Sequence, residues 1–296
     1  MAFRNEPTYH HGQPPKTAIL FCNLGTPDAP TAPALRRYLA EFLGDSRVVE
    51  IPKPIWWLIL HGIILRVRPA KSAAKYASIW TDQGSPLLVH TRAQAEGLQQ
   101  ALTARGYHVL VRHAMRYGQP GIDAQLDALK AEGVTRVLVV PAYPQYSGTT
   151  TASVFDAFYR WSLNIRQVPE FRFVNRYHDD AGYIAALAQR VRAHWQQHGQ
   201  GEVLVMSFHG VPERTLQLGD PYHCECMKTG RLLAEALGLP REKVHITFQS
   251  RFGKAKWLEP YTEPTLIALA QQGVKQVDVV CPGFTGDCLE TLEEIQ

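Results

Sequence analysis

LDALKAEGVTRVLVV, residues 126–140, returns further along the chain as LIALAQQGVKQVDVV, residues 266–280. Leu126, Ala128, Leu129, Gly133, Val134, Val137, Val139 and Val140 are all matched, eight identities in fifteen positions. Unrelated stretches rarely agree so well, and each copy carries helical spacing of Leu and Ala into a β-branched run. Two shorter echoes keep the same order: Arg116-Tyr117-Gly118 with Arg251-Phe252-Gly253, and Gly25-Thr26-Pro27 with Gly210-Val211-Pro212. The chain reads as a duplicated α/β unit.

Working outward, short β-branched runs recur at 17–24, 108–115, 136–142, 171–175, 202–208, 245–250 and 276–281. Several are continuously apolar rather than alternating, which suits strands covered on both faces in a parallel sheet. Stretches such as 120–132 and 181–198 show helical spacing between them. The expected class is α/β, doubly wound. From Gly25 to Arg116 the chain runs 91 positions, but from Gly210 to Arg251 only 41, so the first half carries about 50 extra residues.

That insertion holds the longest apolar run, IWWLILHGIIL at 55–65, which is 11 residues long, against roughly 20 needed to span a bilayer. It is not a transmembrane segment. Two readings stay open: a buried core helix, or a segment lying in a membrane interface, flanked by Lys53, Arg66, Arg68 and Lys71. Adjacent Trp56 and Trp57 cannot both face inward on one helix. A duplicated core does not need the insertion, so a lip facing substrate or membrane is the preferred reading.

Composition bounds the rest. A length of 296 residues suggests two domains with substantial cores. With 45% apolar and 20% charged residues the chain is neither globally disordered nor fibrous. A net charge of +4 from 31 basic and 27 acidic residues is too balanced for a partner that must neutralise many phosphates, so no nucleic acid is expected. Five cysteines without a C-x-x-C pair argue against a disulfide framework and fit a reducing cytosol. Residues 1–16 are polar, lack the apolar core of a secretory signal, and read as a loose arm.

In a parallel sheet, ligands bind beyond the carboxyl ends of the strands. After the run at 202–208 come His209-Gly210-Val211-Pro212; after 276–281 come Pro282-Gly283-Phe284-Thr285-Gly286-Asp287 and then Cys288 to Glu294. An imidazole before Gly at a strand end can be held rigidly with one nitrogen free; the plain alternative is a satisfied strand-end histidine. Glu290 and Glu294, four apart, would stack on one helix face, where repulsion raises the proton affinity of at least one; the alternative is a solvated acidic face. No G-x-G-x-x-G, Walker A loop or G-x-S-x-G elbow is present, which removes the main support for dinucleotide, nucleoside triphosphate and serine-hydrolase readings. His223, Cys224 and Cys226 make only half a zinc site.

At this point the sequence resembles the ferrochelatases, lyases that insert ferrous iron into a porphyrin at the last step of haem synthesis. The resemblance rests on NLGTP (23–27), YASIWTDQGSP (76–86), PQYSGTTTAS (144–153), SFHGVPERTLQLGDPY (207–222), QSRFGKAKWLEPYT (249–262) and PGFTGDCLETLEE (282–294). It implies two tandem Rossmann-like domains of the chelatase type with parallel four-stranded sheets enclosing a porphyrin cleft. The expected boundaries are 17–160 for the first domain, carrying the apolar lip at about 50–68, and 161–296 for the second.

The resemblance gives His209 and Glu290 the catalytic and metal-handling roles, with Glu294 also toward iron. It puts Arg68, Ser85 and Arg116 at propionates, with a structural role at a strand end the alternative for Arg116, and Leu24, Tyr76, Trp257 and Phe284 against the macrocycle, where core packing is the plain alternative for each. Protoporphyrin IX and Fe(II) are the implied substrates, with no permanently bound cofactor. The cysteine with which some relatives bind a [2Fe-2S] cluster within the PQYS segment is here Gly148, so no cluster is expected. Cys288 stands where relatives often have His. The chain stops soon after the glutamate, which reads as a truncation. A cytoplasmic protein held peripherally at a membrane is the expected setting. The rival readings are a chelatase for coproporphyrin or sirohydrochlorin and a non-catalytic porphyrin carrier.

Overall fold

Among the described residues seven strands form where the β-branched runs predict them, and every strand pairing within the two sheets is parallel. The computed structural model describes residues 3–295; Met1 and Ala2 of the expected arm, and Gln296 at the expected truncation, lie outside it. The chain divides into two units. Unit 1 comprises residues 1–142, 148–175 and 286–289, and unit 2 comprises 143–147, 176–285 and 290–296.

Unit 1 opens with β1 (Lys16–Thr26), followed by α1 (Ala32–Leu43), α2 (Lys53–Ile59), a π-helical turn (Leu60–Ile64), α3 (Leu65–Ile79) and α4 (Pro86–Ala104). Then come β2 (Leu110–Gly118), α5 (Ile122–Ala131), β3 (Val134–Pro141), α6 (Ser153–Ser162) and β4 (Glu170–Phe173). The sheet order is β2-β1-β3-β4. Unit 2 contributes α7 (Ala181–His198), β5 (Val203–His209), α8 (Glu213–Gln217), α9 (Tyr222–Leu237), β6 (Val244–Gln249), α10 (Thr262–Gln271) and β7 (Val277–Val280). Its sheet order is β6-β5-β7, three strands among the described residues where the resemblance implied four. A short final helix, α11, spans Leu289–Leu292.

In both sheets the first strand of the unit becomes the centre, the second pairs on one side and the third on the other. The long repeat therefore occupies equivalent places: 126–140 runs from α5 into β3, and 266–280 from α10 into β7. Pairing of Phe21 with Val140 and of Met206 with Val280 makes Phe21 and Met206 equivalent, the same offset that relates Gly25 to Gly210. Two echoes thus agree with one superposition. The third does not. Arg116 lies inside β2, whereas Arg251 lies beyond the end of β6, and the register makes Met115 equivalent to Phe248 and hence Arg116 to Gln249. A common backbone contact confirms that alignment: Met115 N–H donates to Pro120 O at 2.7 Å and Phe248 N–H to Pro260 O at 2.9 Å.

The central strands carry the cores. Ala18, Leu20 and Cys22 of β1 are fully buried, as are Val205, Met206 and Phe208 of β5. Before its second strand the second half has α8 and α9, whereas the first half has α1 to α4, and the extra residues fall within that stretch. Within them the apolar run is divided by its surroundings. Trp56 turns in and donates its indole N–H to Leu43 O at 2.6 Å, Leu60 and Leu65 are buried, and Trp57 is 59% exposed beside exposed Ile55, Leu58, Ile63 and Val67. No helix among the described residues is long and apolar enough to cross a membrane. The N-terminal arm has contacts of its own on unit 1: Arg4 pairs with Asp123 and Asp127, and Glu6 with Lys130.

Candidate active site

A doubly wound sheet switches direction at its central strand, and the carboxyl end of that strand is the natural ligand position. In unit 2 that end is His209, the last residue of β5. The next residue must be Gly: a Cβ on Gly210 would come within 2.8 Å of Gln249 O and 3.0 Å of the Trp257 ring. The chain thus turns tightly under the imidazole. His209 Nδ1 lies 2.6 Å from Gly210 O, and because a carbonyl only accepts, Nδ1 carries a proton, which in the neutral ring leaves the lone pair on Nε2. Tyr222, on α9, donates its hydroxyl to His209 O at 2.9 Å. Burial pushes this phenol far above its ordinary pKa, so it remains a donor at all working pH values.

Trp257 and Phe284, both expected against the macrocycle, flank His209 with ring centroids 6.4 Å away on each count. Phe284 sits on the loop after β7, whose Pro282 carbonyl accepts the Tyr183 hydroxyl. Glu290 is half-buried on α11, and its carbonyl accepts from Gln249 Nε2 at 2.7 Å. The helix lasts only four residues, so Glu294 falls in the turn after it and the stacked pair expected from their spacing does not form as a helical face. Its carboxylate instead accepts from the Ser250 hydroxyl. His209, Gln249 and the Glu290 backbone are therefore linked within one unit.

Unit 1 holds the other predicted contacts. Leu24, the equivalent of His209, is half-buried against the cluster that contains Tyr76. Tyr76 is buried and packs edge-on to Tyr38 at 6.5 Å and to Trp80 at 6.3 Å. Ser85 is buried and accepts from the Thr26 hydroxyl at 2.8 Å. Arg68 is exposed on α3. Arg116 is committed: its guanidinium pairs with Asp45 at 2.6 Å and donates to Ser153 O and Oγ at 2.9 and 2.7 Å. Burial opposes ionisation of Asp45, but hydrogen bonds from Ser153, the Arg47 N–H and Tyr117, with the Arg116 charge, outweigh it and hold this carboxyl below the usual range. A cavity of about 520 Å³ adjoins Asp45 and Arg116.

Sequence reasoning gave no role to Asp45, Gln249, Ser250 or Tyr222, although the last three lie inside the blocks 249–262 and 207–222 that carry the family resemblance. One signal was available for Gln249, a polar residue ending an apolar strand.

Two duplicated Rossmann-like units, with an oriented imidazole between aromatic rings at the ligand-binding end of one central strand, define a chelatase-type α/β protein. A family model described as Ferrochelatase matches residues 16–296. The ferrochelatase of Polaromonas sp. (strain JS666 / ATCC BAA-500) is 73% identical over 299 residues, covering 100% of this chain and 82% of that one. The ferrochelatase of Methylibium petroleiphilum is 69% identical over 98% of this chain and 80% of its own. Among solved structures, SirB from Bacillus subtilis with Fe3+ superposes with a TM-score of 0.49 at 14% identity, over 91% of this chain and 90% of that one. The chain belongs to the ferrochelatase family.

Proposed function

We propose that the reaction of this family, insertion of ferrous iron into protoporphyrin IX to give protohaem, runs in this chain on His209 and Glu290. Two pyrrole N–H bonds must break as four nitrogens bind Fe(II), so two protons leave for each metal that enters. The carrying observation is the contact of His209 Nδ1 with Gly210 O at 2.6 Å: with Nδ1–H given to that carbonyl, the neutral ring has its lone pair on Nε2, able to take a pyrrole proton or meet Fe(II). Glu290, half-buried on α11, is the second proton acceptor of this reading, with Glu294 toward the incoming ion.

On unit 2 Phe284 supplies ring surface for the macrocycle, with Trp257 buried beside His209; on unit 1 half-buried Leu24 supplies apolar surface, with Tyr76 buried in the cluster it packs against. Arg68, exposed and always charged, is the propionate cation of this proposal. Ser85, which accepts from the Thr26 hydroxyl, and Arg116, paired with Asp45, are the other propionate contacts of this reading, donating with the N–H and O–H groups those bonds leave over. We extend the reading to location: exposed Ile55, Trp57, Leu58, Ile63 and Val67, rimmed by Lys53, Arg66 and Lys71, favour a cytoplasmic enzyme resting on an anionic membrane face.

Anaerobic Fe(II) insertion into protoporphyrin IX, followed by absorbance, tests the assignment. His209→Ala is expected to lower kcat at least about 100-fold, with porphyrin binding, read by fluorescence quenching, retained. Insertion at the wild-type rate in that variant would sink the role of His209.

A further inference from the structure

Gln249 closes β6 and is buried, 6% exposed. Its backbone pairs with His209 across the sheet, and its carbonyl accepts the Gly210 N–H at 2.8 Å. Its side chain reaches the other way. The Glu290 carbonyl can only accept, so the amide nitrogen must face it, as observed at 2.7 Å, and the second amide hydrogen points toward Glu294 Oε2 at 3.4 Å. The amide oxygen accepts from Ser207 Oγ at 2.7 Å. Since Ser207 has spent its one proton there, Thr262 donates to Ser207 at 2.8 Å, and Thr247 lies 2.9 Å behind Thr262. A file of hydroxyls from the sheet interior thus fixes the rotamer of one amide, and that amide holds the backbone of the glutamate helix.

The neighbouring residue completes the grip. Ser250 is the one non-glycine described with positive φ, at 65°, and that twist accompanies a hydroxyl donated to Glu294. The duplicated fold supplies a comparison. Arg116, at the place equivalent to Gln249, likewise sends a buried polar arm off the edge strand to pin a distant segment, in that case Asp45. Both units use this position as an anchor, and in unit 2 the anchored segment bears Glu290.

We infer that Gln249, assisted by Ser250, is a positioning residue for iron insertion: it sets the placement of Glu290 relative to His209 and touches neither substrate. The inference rests on the catalytic reading of Glu290 given above. In Gln249→Met, which keeps length and volume but loses both amide functions, kcat for Fe(II) insertion is expected to fall about 10- to 100-fold. The KM for protoporphyrin is expected to stay near the wild-type value, and the melting temperature to stay well above the assay temperature although the Ser207 hydroxyl and the Glu290 carbonyl each lose a partner. In a Glu290→Gln background the same change is expected to cost less than about twofold, because residues acting through one group are not additive. Ser250→Gly, which suits the positive φ and deletes only the hydroxyl, provides a second variant that keeps the backbone unstrained; a several-fold fall in kcat at unchanged porphyrin KM is expected.

Outcomes separate cleanly. If Glu290→Gln inserts iron at the wild-type rate, the catalytic reading of Glu290 falls and this inference with it. If Glu290→Gln is impaired but Gln249→Met is within twofold of wild type, or its loss multiplies fully with that of Glu290→Gln, or it tracks loss of melting temperature, only the positioning role is overturned. Should Gln249→Met fail to fold, an unchanged kcat in Ser250→Gly overturns it instead.

Discussion

A histidine becomes useful when one nitrogen is spoken for, and in His209 the commitment is made by the carbonyl of its own neighbour rather than by a carboxylate. Such a contact fixes the tautomer without adding negative charge, which suits a group that must release its proton again. Asp45 is the opposite case, a carboxylate held ionised by donors in the core of unit 1. Asp45→Ala strands the Arg116 charge at a site where both side chains are at most 10% exposed, so a stability loss of about 3–5 kcal/mol is expected at neutral pH by urea unfolding. The sign with pH follows from the depressed folded-state pKa. The contribution is complete above the unfolded value, near 3.9, and is lost as pH falls below that value toward the folded one. The gap between wild type and Asp45→Asn should therefore narrow in titrations below about pH 4.

At the scale of elements, the lip shows how one sequence motif divides its labour. Pro52 and Pro54 flank the start of α2, where missing N–H groups cost nothing, and the π-helical turn that follows shifts the helix face. Adjacent tryptophans then end with opposite fates, Trp56 bonded to Leu43 O and Trp57 in the open. Trp56→Ser is expected to destabilise by about 2–3 kcal/mol through lost packing and an orphaned carbonyl. Trp57→Ser should leave stability within about 0.5 kcal/mol. Sedimentation with anionic vesicles should show weaker association for Trp57→Ser than for wild type; equal association would remove the membrane role of the lip.

For the whole molecule, the balance of the reaction gives a measurement that needs no substitution. In weakly buffered anaerobic solution two protons should appear for each Fe(II) inserted, and porphyrin binding alone should release none. A carrier without catalysis would show binding and no such release. The architecture was largely open in the sequence, because strand and helix periods are local properties and a duplication writes them twice. The strands and the parallel class followed from those periods, the insertion from the unequal spacing of the repeat echoes, and the family from motifs. The short Arg-x-Gly echo misled, because a tripeptide match carries no register; only the pairing of Asn23 with Met115 and of Phe208 with Phe248 showed that Gln249, not Arg251, answers Arg116. His209, Glu290 and their chemical types are set by the chain alone. The His209 contact with Gly210 O is local, made by the turn at the strand end, whereas which tryptophan faces water and which buried amide holds the glutamate helix were decided by tertiary contacts, since each depends on atoms from another element brought to within hydrogen-bonding distance.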